Sequence, residues 1–365
     1  MIASIHPKRG FGASILRTRA SLSAILPLRE GVHTVENRDS LTRTVSVPPE
    51  AGGLALAAYL ERRFTYQSAE EWAGHAREGR LTLNGSPCDG HETLRAKDEV
   101  SFTPEPWEEP PVDRSYTVLL EDDRYLFVAK PPLLPAHPGG IYRDNTLLSV
   151  VTERHGPVRL VNRLDRETSG VVLAAKTAMA AAEANALMRE RLIEKEYLVL
   201  VEGRFPDRLD AGGFLVKDDS TPVRKKVRFV GGSDPAASIP GAIAVRTLFS
   251  FQRETIPGIS LVAARLLTGR THQIRATLQS LGFPVVGDKL YGKDPTAFLR
   301  FAEGTLTDRD RRALRLDHQA LHCARLAFTA PDGRMYDVRA DIPPSWQGLM
   351  ETPAFPGAKQ QNPVG

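Results

Sequence analysis

Leu56, Leu60 and Phe64 recur every four residues, the spacing of one helical face. A second helix is expected from about Ala69 to Glu78, ended by Gly79. A strand and turn over Arg80-Leu81-Thr82-Leu83-Asn84-Gly85 and a strand over Val100–Thr103 follow. Residues 46–103 therefore read as a small α+β module. Pro104-Glu105-Pro106-Trp107-Glu108-Glu109-Pro110-Pro111 builds neither helix nor ladder, so residues 104–115 read as a linker.

The pattern changes near Tyr116. Val118-Leu119-Leu120 and Leu126-Phe127-Val128 flank the turn Glu121-Asp122-Asp123-Arg124 as a hairpin, and a proline-rich loop runs from Lys130 to Gly140. Thr177 is placed to cap a helix reaching about Arg191, and Tyr197–Val201 alternates like a strand. Thr271 is placed to cap another helix, with Ile274, Leu278 and Leu281 on one face and Gly282 at its stop. Leu326–Phe328 and Met335–Val338 flank Pro331-Asp332-Gly333, a strong hairpin signal. Hairpins interspersed with helices predict an α+β fold, a mixed and mostly antiparallel sheet with flanking helices, rather than a doubly wound parallel sheet. The main domain spans 116–346, and residues 347–365 read as a flexible tail.

Residues 1–45 show no sustained periodicity and read as a disordered leader. Before Glu30 they are rich in Arg and Ser and contain no acid, the composition of an organellar transit peptide, so a cytoplasmic and an organellar location both stay open. No run approaches the about 18 consecutive apolar residues of a membrane-spanning helix, so no membrane association is expected. Two cysteines, Cys88 and Cys323, lie far apart without CxxC spacing and read as reduced thiols, not a zinc site. The net charge of +4 lies wholly in the leader, which has seven basic and three acidic side chains. Bulk charge is thus no argument for a nucleic-acid partner, and local clusters must carry it. With no heptad and no long apolar edge, a monomer is expected.

Two segments carry the chemistry. Asn162-Arg163-Leu164-Asp165-Arg166-Glu167-Thr168-Ser169-Gly170 sets one carboxylate between two guanidinium groups, ahead of the apolar run Val171–Ala175. Positive charge on both sides lowers a carboxylate pKa. Thr268-Gly269-Arg270-Thr271-His272-Gln273-Ile274-Arg275 delivers another arginine from a glycine turn onto a helix start. Taken singly, each fits a surface ion pair or an ordinary turn. Their order, together with Ala136-His137-Pro138-Gly139-Gly140, Lys195-Glu196-Tyr197, Gly282–Gly292 and Gln319-Ala320-Leu321-His322-Cys323, is another matter.

In these segments, over about residues 116–340, the chain resembles the RluA-type pseudouridine synthases. Residues 54–103 resemble, more faintly, the small RNA-binding module of ribosomal protein S4. The resemblance implies isomerisation of uridine in ribosomal or transfer RNA, a reaction without net electron transfer that needs neither redox cofactor nor metal. It implies that Asp165 is the catalytic carboxylate, acting as nucleophile or by assisting proton removal from ribose. Arg270 would pair with Asp165 and keep it charged, and Tyr197 would lie against the flipped uracil. Arg163 would fill the place the base leaves.

His272 reads as a residue that shapes the helix start or touches phosphate rather than as a general base, and Arg166 as a further RNA contact. Arg224, Lys225, Lys226 and Arg228 form the densest basic cluster of the main domain and are expected at phosphates, as is the group Arg309, Arg311, Arg312 and Arg315. Position 162 departs from the family pattern, with Asn where His is usual. The small module also departs from it, because over residues 52–106 it carries six basic against nine acidic side chains. The competing reading is a non-catalytic RNA-binding or ribosome-assembly protein on the same scaffold. A glycoside hydrolase is disfavoured because Asp165 lacks a second positioned acid.

Overall fold

The computed structural model describes residues 42–64, 67–105, 108–223, 226–232 and 239–350. Within them the chain divides into two compact units, with the boundary at Glu108/Glu109.

The smaller unit contains β1 (Arg43–Ser46), α1 (Leu56–Arg63), α2 (Ala69–Arg77), β2 (Leu81–Leu83), β3 (Ser86–Pro87) and β4 (Glu99–Phe102). Its antiparallel sheet has the order β1-β4-β2-β3. Leu56, Leu60, Trp72, Leu81 and Val100 form its core. The first helix falls where the four-residue spacing placed it, and the second matches the stretch expected before Gly79. Ser68 and Glu71 close α2 with a reciprocal capping box. Arg43–Val45, assigned above to the leader, instead pair with β4. Four residues offer too little periodicity to register as a strand until a partner edge is present.

The larger unit begins within the expected linker. Glu109 accepts hydrogen bonds from the backbone N–H groups of Asp144 and Asn145, at 2.8 Å each, and so docks onto this unit. Its elements are β5 (Thr117–Glu121), β6 (Tyr125–Lys130), α3 (Leu147–His155), β7 (Arg159–Leu160), β8 (Ser169–Ala175), α4 (Ala178–Arg189), β9 (Glu194–Glu202), β10 (Arg208–Lys217), β11 (Val227–Gly231), β12 (Ile243–Ile256) and β13 (Ile259–Leu266). They continue with α5 (Gln273–Ser280), α6 (Ala297–Ala302), α7 (Asp308–Leu314), β14 (Leu321–Thr329), β15 (Met335–Arg339) and α8 (Gln347–Met350). One large sheet runs in the order β11-β10-β12-β13-β9-β14-β8-β6-β5, with β15 beside β14 and β7 beside β8. The class is α+β and the sheet is mostly antiparallel, with β14 against β8 as its parallel pair. Trp346 is fully buried and Arg253 donates to the carbonyl of Met350, so the start of the expected tail belongs to the fold.

The sheet order brings distant segments together at its middle. Cys323 on β14 is the cross-strand partner of both Tyr197 on β9 and Gly170 on β8. The close approach of β14 and β8 depends on Gly170. It has φ +112°, and an added Cβ would lie 2.2 Å from the Cys323 carbonyl oxygen. Gly170→Ala is therefore expected to cost roughly 3 kcal/mol or to prevent folding, since backbone on one side and a fully buried strand on the other leave no room to yield. Urea denaturation of the variant measures this, and an unchanged midpoint would show that the strands separate easily.

Candidate active site

A tight turn leads into β8 and carries Asp165. The Asp165 carbonyl accepts from the Thr168 N–H at 3.0 Å. Upstream, Asn162 donates from Nδ2 to the Val171 carbonyl (3.2 Å) and accepts at Oδ1 from the Leu173 N–H (2.7 Å). Its amide thus pairs with β8 much as a neighbouring strand would, a task that needs one donor and one acceptor and no titration. Lys130 is buried and donates from Nζ to the carbonyls of Pro131 (2.8 Å), Leu134 (2.7 Å) and Arg166 (3.1 Å). It ties the proline-rich loop to the turn, and burial pushes its amine down to about 7.

The Asp165 carboxylate is about one-third exposed, at 32%. Arg275 Nη1 donates to its Oδ2 at 2.7 Å. The same guanidinium donates from Nε and Nη2 to Asp288, at 2.6 and 2.9 Å. Asp288 is fully buried, and its Oδ1 also accepts the N–H groups of Leu290 and Tyr291. His272 Nε2 lies 4.0 Å from the Asp165 carboxylate, while its Nδ1 is 3.1 Å from the Tyr291 hydroxyl. Partial burial works against the charge on Asp165, but the Arg275 guanidinium outweighs it and holds the pKa below the ordinary 3.8. One guanidinium between two carboxylates leaves the trio with one net negative charge, and its exposed member is Asp165.

Tyr197 is 7% exposed and sits beside the Cys323 thiol. Burial first, then Cys323 and the charge of Asp165, raises its phenol well above the usual range, so the hydroxyl keeps its proton at neutral pH. The site thus offers an ionised carboxylate within electrostatic range of a protonated phenol. Such a pair can attack an electrophilic carbon or take up a proton, with an aromatic ring close by.

Several expectations change. Arg270 is exposed, and among the described residues its guanidinium contacts no carboxylate; the arginine at Asp165 is Arg275. The cause is the path of the chain. His272, not Thr271, precedes the helix, with left-handed φ 58°. Gln273 locks the preceding turn by accepting from the Thr268 hydroxyl and the Arg270 N–H, and by donating to Thr247. Arg270 is left on the outside of that turn, whereas Arg275 enters the buried first turns of α5 among Ile274, Ala276 and Leu278. Its place in an apolar helix face was the available signal, because a buried arginine requires partners.

Arg166 is not a free RNA contact. Its guanidinium lies over the rings of Tyr142 and Phe301, 5.9 and 5.7 Å from their centres, and donates to Tyr142 and Glu167. Lys226 is buried beside Asp218 and over the Tyr291 ring, which removes it from phosphate contact. Arg315 donates to the buried Glu202, whereas Arg309, Arg311 and Arg312 are exposed. Arg163 and Arg228 are exposed as expected. Arg224 and Lys225, expected at phosphates, lie outside the described residues.

The model of the family described as RNA pseudouridylate synthase matches residues 124–280. Ribosomal large subunit pseudouridine synthase D of Xanthomonas campestris pv. campestris is 31% identical over 326 residues, which is 86% of this chain and 93% of that protein. Pseudouridylate synthase RPUSD2 of Mus musculus is 33% identical over 275 residues, 73% of this chain and 48% of that protein, so the chain matches about half the length of this relative. Among solved structures, human RNA Pseudouridylate Synthase Domain Containing 1 superposes with a TM-score of 0.51 at 22% identity, covering 64% of this chain and 86% of that one, a likeness of fold.

A pH dependence follows from the paired carboxylates. Asp165 and Asp288 both have folded pKa values below the ordinary 3.8. Their pairing therefore contributes stability that is fully present above about 4 and is lost as pH falls through the folded values. Urea midpoints are expected to drop steeply between pH 4 and pH 3, and less steeply in Arg275→Gln, where the pairing is already gone. Equal acid slopes in the two proteins would show that the trio contributes nothing.

Proposed function

Because this chain belongs to the RNA pseudouridylate synthase family, we propose that it converts uridine to pseudouridine in structured RNA, with Asp165 as the catalytic carboxylate. The observation that carries this reading is the pairing of Asp165 with Arg275 within electrostatic range of Tyr197, inside segments that match the family.

In the reaction the bond between uracil N1 and ribose C1′ breaks, the base turns, and C1′ joins C5. The proton on C5 leaves and N1 gains one, so atoms and charge balance without an oxidant or reductant. Asp165 adds to the sugar or assists removal of a ribose proton, and both routes need the ionised, accessible carboxylate that Arg275 maintains. The uridine must first leave its stack, at a cost of a few kcal/mol. Arg163, exposed two residues before Asp165, takes the vacated position, where a planar guanidinium stacks on neighbouring bases. Tyr197 lies against the extruded uracil and presents a protonated phenol. His272 stands beside Asp165, and Arg224, Lys225, Arg228, Arg309, Arg311 and Arg312 meet phosphates.

We take large-subunit ribosomal RNA as the first substrate to test, since the match to the Xanthomonas campestris protein runs nearly end to end, with transfer RNA as the second. The protein acts as a monomer in the cytoplasm. No helix among the described residues is long and apolar enough to cross a membrane.

Asp165→Asn is expected to form no pseudouridine in either RNA, while it stays folded with a Tm slightly below the parent's, because the pairing with Arg275 is lost, and keeps the parent RNA affinity. The check is site mapping of pseudouridine after incubation with purified protein. A fully active variant would remove Asp165 from the reaction. A parent protein that binds both RNAs and modifies neither would be a non-catalytic RNA-binding protein.

A further inference from the structure

We infer that Asp288 is a positioning residue for the reaction: it, and not Asp165, fixes the place of Arg275. The inference rests on the function proposed above and concerns how that site keeps its geometry through turnover.

The hydrogen bonds are divided unequally. Asp288 receives two nitrogens of Arg275, Nε and Nη2, in a fork against both carboxylate oxygens. Asp165 receives one, from Nη1. Forked contact restrains the guanidinium plane, whereas a single bond leaves it free to pivot. Asp288 is held in turn by the N–H groups of Leu290 and Tyr291. Its loop packs closely against the segment at His318: Gly287 has φ +75°, and an added Cβ there would lie 2.1 Å from the His318 carbonyl oxygen. The Tyr291 ring lies under the Arg275 guanidinium, 5.0 Å from ring centre to Cζ, and its hydroxyl meets His272. Lys289 of the same loop reaches Glu167, two residues past Asp165. Residues 287–291 thus hold Arg275, His272 and the Asp165 turn from one side.

The consequence concerns the reacting state. When Asp165 adds to the sugar or takes a proton, its negative charge is dispersed and its attraction for Arg275 falls. A guanidinium held only by Asp165 would then drift or draw in water. Held by Asp288, it stays in place and is ready to receive the carboxylate again when the base rejoins the sugar. Asp288 touches neither RNA nor the reacting atoms, so it works through Arg275 alone.

A double-mutant cycle tests this with Asp288→Asn, Arg275→Gln and the combined variant, each assayed for kcat and KM on the RNA that the parent protein modifies. Asp288→Asn is expected to lower kcat on the order of 10²-fold, as for a small misplacement of a catalytic group, with KM unchanged. The combined variant is expected to be no slower than Arg275→Gln, since nothing remains for Asp288 to hold. Multiplying effects on kcat, a rise in KM as the main effect, or full activity of Asp288→Asn would overturn the inference.

Should Asp288→Asn not fold, the cause is the buried guanidinium it leaves partly unpaired. The comparison of Arg275→Gln with the combined variant, in which the buried pair is neutral, then decides: equal kcat supports the positioning role and a further loss refutes it. A parent protein that makes no pseudouridine overturns the functional reading and this inference together, whereas multiplying losses in an active parent overturn this inference alone.

Discussion

The site depends on one buried guanidinium shared by two carboxylates. Arg275 cannot be buried without compensating charge, and Asp288 supplies that charge from a closely packed loop. Only then can Arg275 extend a third N–H to Asp165 and keep it anionic while about one-third of that carboxylate still faces outward. A guanidinium paired to Asp165 alone would bind it by both oxygens and compete with any substrate. The second carboxylate turns a closed ion pair into an open one.

Around that trio the structure holds the Asp165 turn by its backbone. Asn162 pairs with β8 in place of a strand, Lys130 gathers three carbonyls including that of Arg166, and Gly170 lets β14 come close enough to place Cys323 beside Tyr197. Arg166 lies over the rings of Tyr142 and Phe301 and so connects the segment just after the proline-rich loop, the turn and α6. These polar side chains are internal supports. Arg163, Arg228 and the arginines of α7, by contrast, are exposed.

Much of this was legible from residue order. The α+β class followed from hairpin signals spaced between helical stretches, the four-residue periodicity located α1, and the stop at Gly79 helped to place α2. Tyr197 was identified as lying on a strand, and Asp165 as a carboxylate among arginines. The boundaries failed where a segment has structure only through its partner. Arg43–Val45 become a strand by pairing with β4, and Glu109 is ordered by capping the N–H groups of Asp144 and Asn145. Lys226 and Arg166 turn to internal partners instead, because a basic residue's place in the sequence does not show which way its side chain points.

The sequence by itself determined which chemical groups are available: an aspartate at a turn entering a wholly apolar strand, an aromatic on another strand, and an arginine-bearing segment opening a helix. It did so because turn, strand and helix preferences are set by neighbours a few residues away. Only the tertiary structure decided which arginine meets the aspartate. Arg270 and Arg275 are five residues apart on one segment, and the left-handed His272 together with the Gln273 lock sends one outward and the other to a partner 110 residues earlier in the chain. That choice is made by burial and by the charge of Asp288, neither of which is a property of the local sequence.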